Sequence, residues 1–401
     1  MIKIYNKKRN LIEKYKNIII SQVDQNITDQ ELLDKIHKLV RRDLLEEGGF
    51  IGLTDYIDLT KFIYYEIRKY GLLSYFLDND DISEIMINRH DQIFLEHKGR
   101  LVKSKYSFNN KEEVDILVQK IVGKSGREVN LSKPIVDTRL EDGSRVNIVL
   151  APLANREPVI TVRKFPEESL TIDDLISFGT LDRPTANFLE KLVKAKFNIL
   201  IGGGTSSGKT TFLNVLTNFI GPYERVITIE DSRELQVKNI ENLVSLQSRP
   251  ANTAGKGEIT IRDLIKSSLR MRPDRIIVGE VRSDETIDML QAMNTGHDGS
   301  LSTAHANSTQ DMISRLEFMI LSGVDIPIKA IKQMIISSID LLIHLKRLED
   351  SSRKVVEISE IDKTKKDEVS LNVLYAYNVR KNVLERTENK LLNPIKLIDG
   401  G

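Results

Sequence analysis

Residues 201–216 read IGGGTSSGKTTFLNVL, an apolar run closed by three glycines and followed by a lysine between a glycine and a threonine. Glycine loses more backbone entropy on folding than any other residue, so Gly202, Gly203, Gly204 and Gly208 require a reason. Small side chains let backbone N–H groups turn toward an anion, and a helix opening at Thr210 adds the positive end of its dipole. The stretch fits G-x-x-x-x-G-K-[ST], with Gly203, Gly204, Thr205, Ser206, Ser207, Gly208, Lys209 and Thr210 in register and Thr211 next. The apolar FNILI just before it predicts a strand, so the segment reads as a phosphate-binding P-loop between a strand and a helix. Lys209 is then expected on the β- and γ-phosphate oxygens, and the Thr210 hydroxyl on a magnesium ion.

A chain of 401 residues has room for two or three domains with substantial cores. Its net charge of +1 points to no global field for nucleic acid or an anionic membrane. The absence of cysteine excludes disulfides and any cysteine-ligated zinc, and fits a reducing compartment. The first twenty residues carry six basic residues and one acidic, but the apolar NIII is too short for a signal-peptide core. No apolar run approaches the roughly 18–20 residues that span a bilayer, so a cytosolic protein without membrane insertion is expected.

Residues 1–78 read as helical. ELLDKIHKLVRRDLLEE places Leu32, Leu33, Ile36, Leu39, Val40 and Leu44 on one face, and YIDLTKFIYYEIRKYG repeats the pattern up to Gly71. Residues 79–163 carry short alternating strands separated by Gly, Asn, Asp and Pro turns, with one helix over KEEVDILVQKIVGKSG, and predict a small α+β domain. Residues 164–172 form the expected linker. From 173 to 401 strands and helices alternate, which predicts an α/β domain with a parallel sheet and crossover helices. STQDMISRLEFMILSG is expected to be a helix capped by Ser308 and ending at Gly323.

Three polar clusters close apolar strands, where open α/β sheets bind ligands. In RVITIEDSREL, Glu230 and Asp231 follow the strand directly. In RPDRIIVGEVR, the aspartate usual before the terminal glutamate is replaced by Gly279, leaving Glu280 to orient the attacking water. Metal support is then expected from Glu230 or Asp231. In NTGHDGSLSTAHANS, His297 and His305 stand eight apart, without the third tightly spaced ligand that zinc needs, and a site at the sheet edge is expected instead.

Four stretches taken together, 203–210, TIEDSREL at 228–235, MRPDRIIVGEVR at 271–282 and NTGHDGSLSTAHANS at 294–308, resemble the Walker A, Asp, Walker B and His boxes of the type II/type IV secretion-system ATPases. SRPANTAGKGEITIRDLIKSSLRMRPDRIIVGEVR and VDTRLEDGSRVNIVLAPLA look most like the branch that powers Flp/Tad (tight-adherence) pili. The resemblance covers roughly residues 75–350. It implies a RecA-like P-loop motor domain joined to an N-terminal α+β domain and a helical N-terminal extension, with nucleotide held between the two domains. It implies a homo-hexamer using ATP and Mg2+, peripheral at the cytoplasmic face of the inner membrane, and an inner-membrane platform protein as partner. Carried over by position, Lys209 and Thr210 hold phosphate and magnesium, Glu280 is catalytic, and Glu230 supports the metal or the water. His297 and His305 sense the phosphate, and Arg139, Arg145 and Arg163 neutralise its charge. No nucleic acid is expected: a translocase needs a basic stripe with interleaved aromatics, and the chain has no Trp and 6% aromatic residues.

Overall fold

The computed structural model describes residues 2–23, 26–46, 52–125, 127–165, 170–249, 251, 256–365 and 368–399. The chain divides into two compact units, 1–167 and 168–401. The expected linker falls partly on 166–169, outside the described residues, as does the side chain of Leu44.

The first unit opens with α1 (Ile2–Gln22), α2 (Asp29–Glu46), α3 (Leu53–Arg68) and α4 (Leu72–Leu77). Its sheet is built from β1 (Ile82–Arg89), β2 (Gln92–His97), β3 (Arg100–Lys103), β4 (Ile135–Arg139), β5 (Arg145–Val149) and β6 (Val159–Arg163), with α5 (Lys111–Ser125) between β3 and β4. The strand order is β3-β2-β1-β6-β5-β4, antiparallel throughout. Helices and sheet share one core. Leu32, Ile36 and Val40 of α2 are buried in the same cluster as Ile85 of β1 and Val162 of β6. Leu33 is only half-buried, at the margin of the α2 stripe. The strand β4 belongs to a segment whose alternation is too weak to be read as a strand from sequence.

The second unit begins with α6 (Ile172–Ser177), opened by a capping box in which Thr171 and Asp174 satisfy each other's backbone N–H groups. Then come α7 (Arg183–Lys194), β7 (Ile199–Gly203), α8 (Lys209–Thr217), β8 (Val226–Glu230), β9 (Leu243–Gln247), α9 (Ile261–Ser268) and β10 (Arg275–Val281). They are followed by α10 (Glu285–Asn294), β11 (Leu301–His305), α11 (Thr309–Gly323), α12 (Ile328–Ser338), β12 (Leu341–Arg347) and β13 (Arg353–Ile361). The unit closes with β14 (Leu371–Asn378), β15 (Val383–Arg386) and α13 (Ile395–Asp399).

Nine strands form one sheet in the order β15-β14-β13-β12-β7-β11-β10-β8-β9. From β12 to β9 neighbours run parallel, and β13, β14 and β15 add an antiparallel edge. The central parallel strands β7, β8, β10 and β11 are buried almost throughout because helices cover both faces, with two separate cores. Ser308 caps α11 as its sequence signals, accepting from the Asp311 N–H. Order alone places the loops after β7, β8, β10 and β11 at one edge of the sheet.

Candidate nucleotide site

The P-loop leaves β7 at Gly203 and enters α8 at Lys209. Gly208 has φ 92° and Ser206 φ 57°, so the chain turns through two left-handed residues before the helix starts. A side chain on Gly203 would place its first carbon 2.6 Å from the Leu345 carbonyl oxygen, so only glycine fits there. Lys209 is buried, and its ammonium donates to the Gly203 and Gly204 carbonyls at 3.1 Å each. Ser207 Oγ is buried with no hydrogen-bond partner among the described atoms. A cradle closed to any Cβ at Gly203, a buried cation and an orphaned hydroxyl together fit a phosphate. Thr210 lies half-buried in the first turn of α8, while Thr205 and Thr211 are exposed.

Parallel pairing brings the other boxes to this loop. His305 lies opposite Gly203, because β11 pairs with β7 in register from Leu301 to His305. The Lys209 ammonium stands 3.4 Å from His305 Nδ1, and His305 Nε2 stands 3.0 Å from Glu280 Oε1. Arg282 Nε donates to Glu280 Oε2 at 2.6 Å, and its Nη1 reaches Asp231 at 3.5 Å. A continuous run of polar contacts thus joins P-loop, β11, β10 and β8. Burial, mainly, and then the Lys209 charge push the His305 pKa below the ordinary histidine value, against the opposing pull of Glu280. Arg282 was not singled out from sequence, although an arginine two residues beyond a strand-end glutamate shares its face.

Glu230 is buried at the end of β8, with Oε1 accepting the N–H groups of Glu234 at 2.8 Å and Leu235 at 3.0 Å. That oxygen shapes the loop after β8. Asp231 is exposed, and its Oδ1 accepts from Ser248 Oγ at 3.0 Å. No group of three or more His, Asp or Glu side chains able to hold a metal occurs among the described residues. A magnesium ion here would draw most of its ligands from waters and phosphate oxygens, and Thr210 with Glu230 or Asp231 would be the protein side chains to serve it.

His297 is not brought to the P-loop, unlike His305, with which the resemblance pairs it as a phosphate sensor. It lies in the turn before β11, with Nδ1 3.3 Å from the Ala292 carbonyl and its own carbonyl accepting from Ser300 Oγ. β11 runs away from that turn toward Gly203. Four residue steps from Leu301 to His305 already span about 13 Å, so His297 belongs to the opposite edge of the sheet.

In the first unit, the three candidate arginines stand in one row. Arg139 pairs with Arg145 across β4 and β5, and Arg145 pairs with Arg163 across β5 and β6. Glu84 on β1 is the next position in the row, 3.7 Å from Arg163. The row lies on the face opposite the buried Val146, Ile148, Ile160 and Val162. Arg163 thus has a carboxylate opposite it, while Arg139 and Arg145 stand side by side across β4 and β5. Of the acids in the intervening turn, Glu141 pairs with Lys124 at 3.0 Å and Asp142 accepts from the Ser144 N–H.

Residues 67–389 match the family described as "Type II/IV secretion system protein". An uncharacterized protein of Methanocaldococcus jannaschii is 44% identical over 254 residues, 61% of this chain but only 35% of that protein's length. The type IV secretion system protein PtlH of Bordetella pertussis is 29% identical over 70% of this chain and 91% of its own. The solved structure of the Legionella pneumophila ATPase DotB superposes with a TM-score of 0.56 at 26% identity, covering 73% of this chain and 80% of that one. The second unit thus has the RecA-like motor fold that the family resemblance implies. No helix among the described residues is long and apolar enough to cross a membrane.

Proposed function

The chain belongs to the type II/IV secretion system protein family, and from that premise we propose that it is an ATP-hydrolysing motor for pilus assembly or protein secretion. The observation that carries the reading is the run of contacts from Lys209 through His305 and Glu280 to Arg282 and Asp231. It joins a phosphate cradle to a carboxylate able to act on water.

In this reading the ATP phosphates occupy the loop, and Lys209 exchanges the Gly203 and Gly204 carbonyls for phosphate oxygens. Glu280 orients the attacking water and accepts its proton, while Arg282 donates to its Oε2 and holds the carboxylate in place. His305, between Lys209 and Glu280, registers whether phosphate is present. Magnesium, held by Thr210 with Glu230 or Asp231 acting through water, supplies neutralisation of phosphate charge. The row Arg139–Arg145–Arg163 supplies further positive charge to the transferring phosphoryl group.

We assign residues 1–78 to a helical extension, 79–163 to an α+β domain, 164–172 to a linker and 173–401 to the motor. The motor acts as a homo-hexamer at the cytoplasmic face of the inner membrane, against a platform protein, in the Flp/Tad branch of the family. The names of PtlH, a type IV secretion system protein, and of DotB, an ATPase, support the secretion-motor part of this reading.

Labelled-ATP binding and phosphate release on the full chain test it. The unaltered chain should bind and hydrolyse ATP, Lys209→Ala should lose both, and Glu280→Gln should retain ATP without turnover. Binding by Glu280→Gln no better than by Lys209→Ala would remove the role given to Glu280.

A further inference from the structure

The β12–β13 hairpin braces the P-loop at both ends. β12 runs parallel to β7 with Leu345 opposite Gly203, where the Leu345 carbonyl excludes any side chain. β13 begins at Arg353, whose Nε donates to the Ser206 carbonyl at 3.0 Å, across 147 residues of sequence. The Arg353 Cδ lies 3.1 Å from the position that a Cβ on Gly208 would take. One arginine therefore covers both left-handed residues of the loop, Ser206 and Gly208.

The hairpin does not need this contact for its own anchoring. Lys354 Nζ donates to the Gly179 carbonyl at 2.6 Å, and the Val355 N–H donates to the Thr180 carbonyl at 3.0 Å. What the contact does fix is the peptide between Ser206 and Ser207. A trans peptide is planar, so holding the Ser206 carbonyl toward Arg353 turns the Ser207 N–H the opposite way. That N–H faces into the loop, 3.4 Å from the Gly204 carbonyl oxygen, the same oxygen that accepts from Lys209.

We propose that Arg353 is a positioning residue for nucleotide: from the β12–β13 hairpin it holds the Ser206 carbonyl and so aims the Ser207 N–H at the bound phosphates. The inference rests on the ATP reading above. It places a determinant of nucleotide affinity outside the four sequence boxes, on the antiparallel edge of the sheet.

The test measures labelled-ATP dissociation constants and steady-state kcat and KM on the full chain. Arg353→Met keeps the aliphatic stem over Gly208 and removes the donors. It should raise Kd and KM severalfold, up to about tenfold, the most that one charge-assisted hydrogen bond contributes at an exposed site, while kcat at saturating ATP stays near that of the unaltered chain. Arg353→Lys, which keeps a charged donor, should recover most of the affinity. Lys354→Ala, which loosens the same hairpin away from the loop, should bind ATP as the unaltered chain does. Unchanged affinity in Arg353→Met, or equal weakening in Lys354→Ala, would overturn the positioning role while leaving the ATP reading intact. An unaltered chain that retains no ATP would overturn both.

Discussion

Glu230 occupies the space that Gly279 leaves open. The two follow directly on the paired residues Ile229 and Val278 of β8 and β10, and a Cβ on Gly279 would lie 3.1 Å from Glu230 Cγ. The missing aspartate of the β10 strand end is therefore not a lost ligand alone. Its place is taken by a carboxylate from the neighbouring strand.

Glu230 cannot easily retreat, since two backbone N–H groups hold its Oε1. Gly279→Ala should destabilise the chain by about 1–3 kcal/mol through overpacking, read as a lower urea midpoint. Gly279→Asp should cost more, because it sets a second carboxylate against a buried one. A Gly279→Asp chain as stable as the original, with tighter magnesium binding, would restore the aspartate's usual role there.

The two histidines should separate in function. His305→Gln should lower turnover about tenfold to a hundredfold by removing the imidazole that stands between Lys209 and Glu280. His297→Ala should leave ATP affinity and turnover near their original values, since its contacts are to the α10–β11 turn. Equal losses in the two variants, measured as kcat on the full chain, would contradict the register of β11 against β7.

His344 on β12 is buried, and burial pushes its pKa below the ordinary histidine value, with the Ala306 carbonyl opposing. The unfolded chain, titrating near 6.5, then takes up a proton before the folded one as pH falls. Stability from neutral His344 is full above that value and declines as pH drops through it toward the depressed folded pKa. Urea midpoints at pH 7 and pH 5 should therefore differ more in the unaltered chain than in His344→Gln. His305, depressed for the same leading reason, contributes in the same direction.

Arg145 stands at the centre of the arginine row. If the row serves the transferring phosphoryl group, Arg145→Ala should lower turnover by a factor on the order of 10³, with ATP binding retained at the P-loop and the urea midpoint close to the original. Unchanged turnover would return the three arginines to a solvated sheet face.

Local chemistry made the P-loop legible: eight consecutive residues specify a strand end, a left-handed turn and a helix start, and no distant contact is needed to see them. The acids at 230, 231 and 280 were legible for the same reason, each at or just past the end of a short apolar strand. The capping residues Thr171 and Ser308 act within three residues of themselves. Pairing between distant strands is a different kind of information. The family resemblance gave His297 and His305 one role, whereas the parallel register of β11 on β7 sends them to opposite ends of the strand. Arg139, Arg145 and Arg163 were visible one by one, and only the antiparallel registers of β4, β5 and β6 made them a row. The Arg353 contact with Ser206 and the fit of Glu230 over Gly279 join residues 147 and 49 positions apart. Short-range backbone preferences and hydrogen bonds determine turns, caps and motifs from the sequence itself. Which side chains then meet is decided by how buried apolar faces align whole strands, and that alignment exists only in the folded chain.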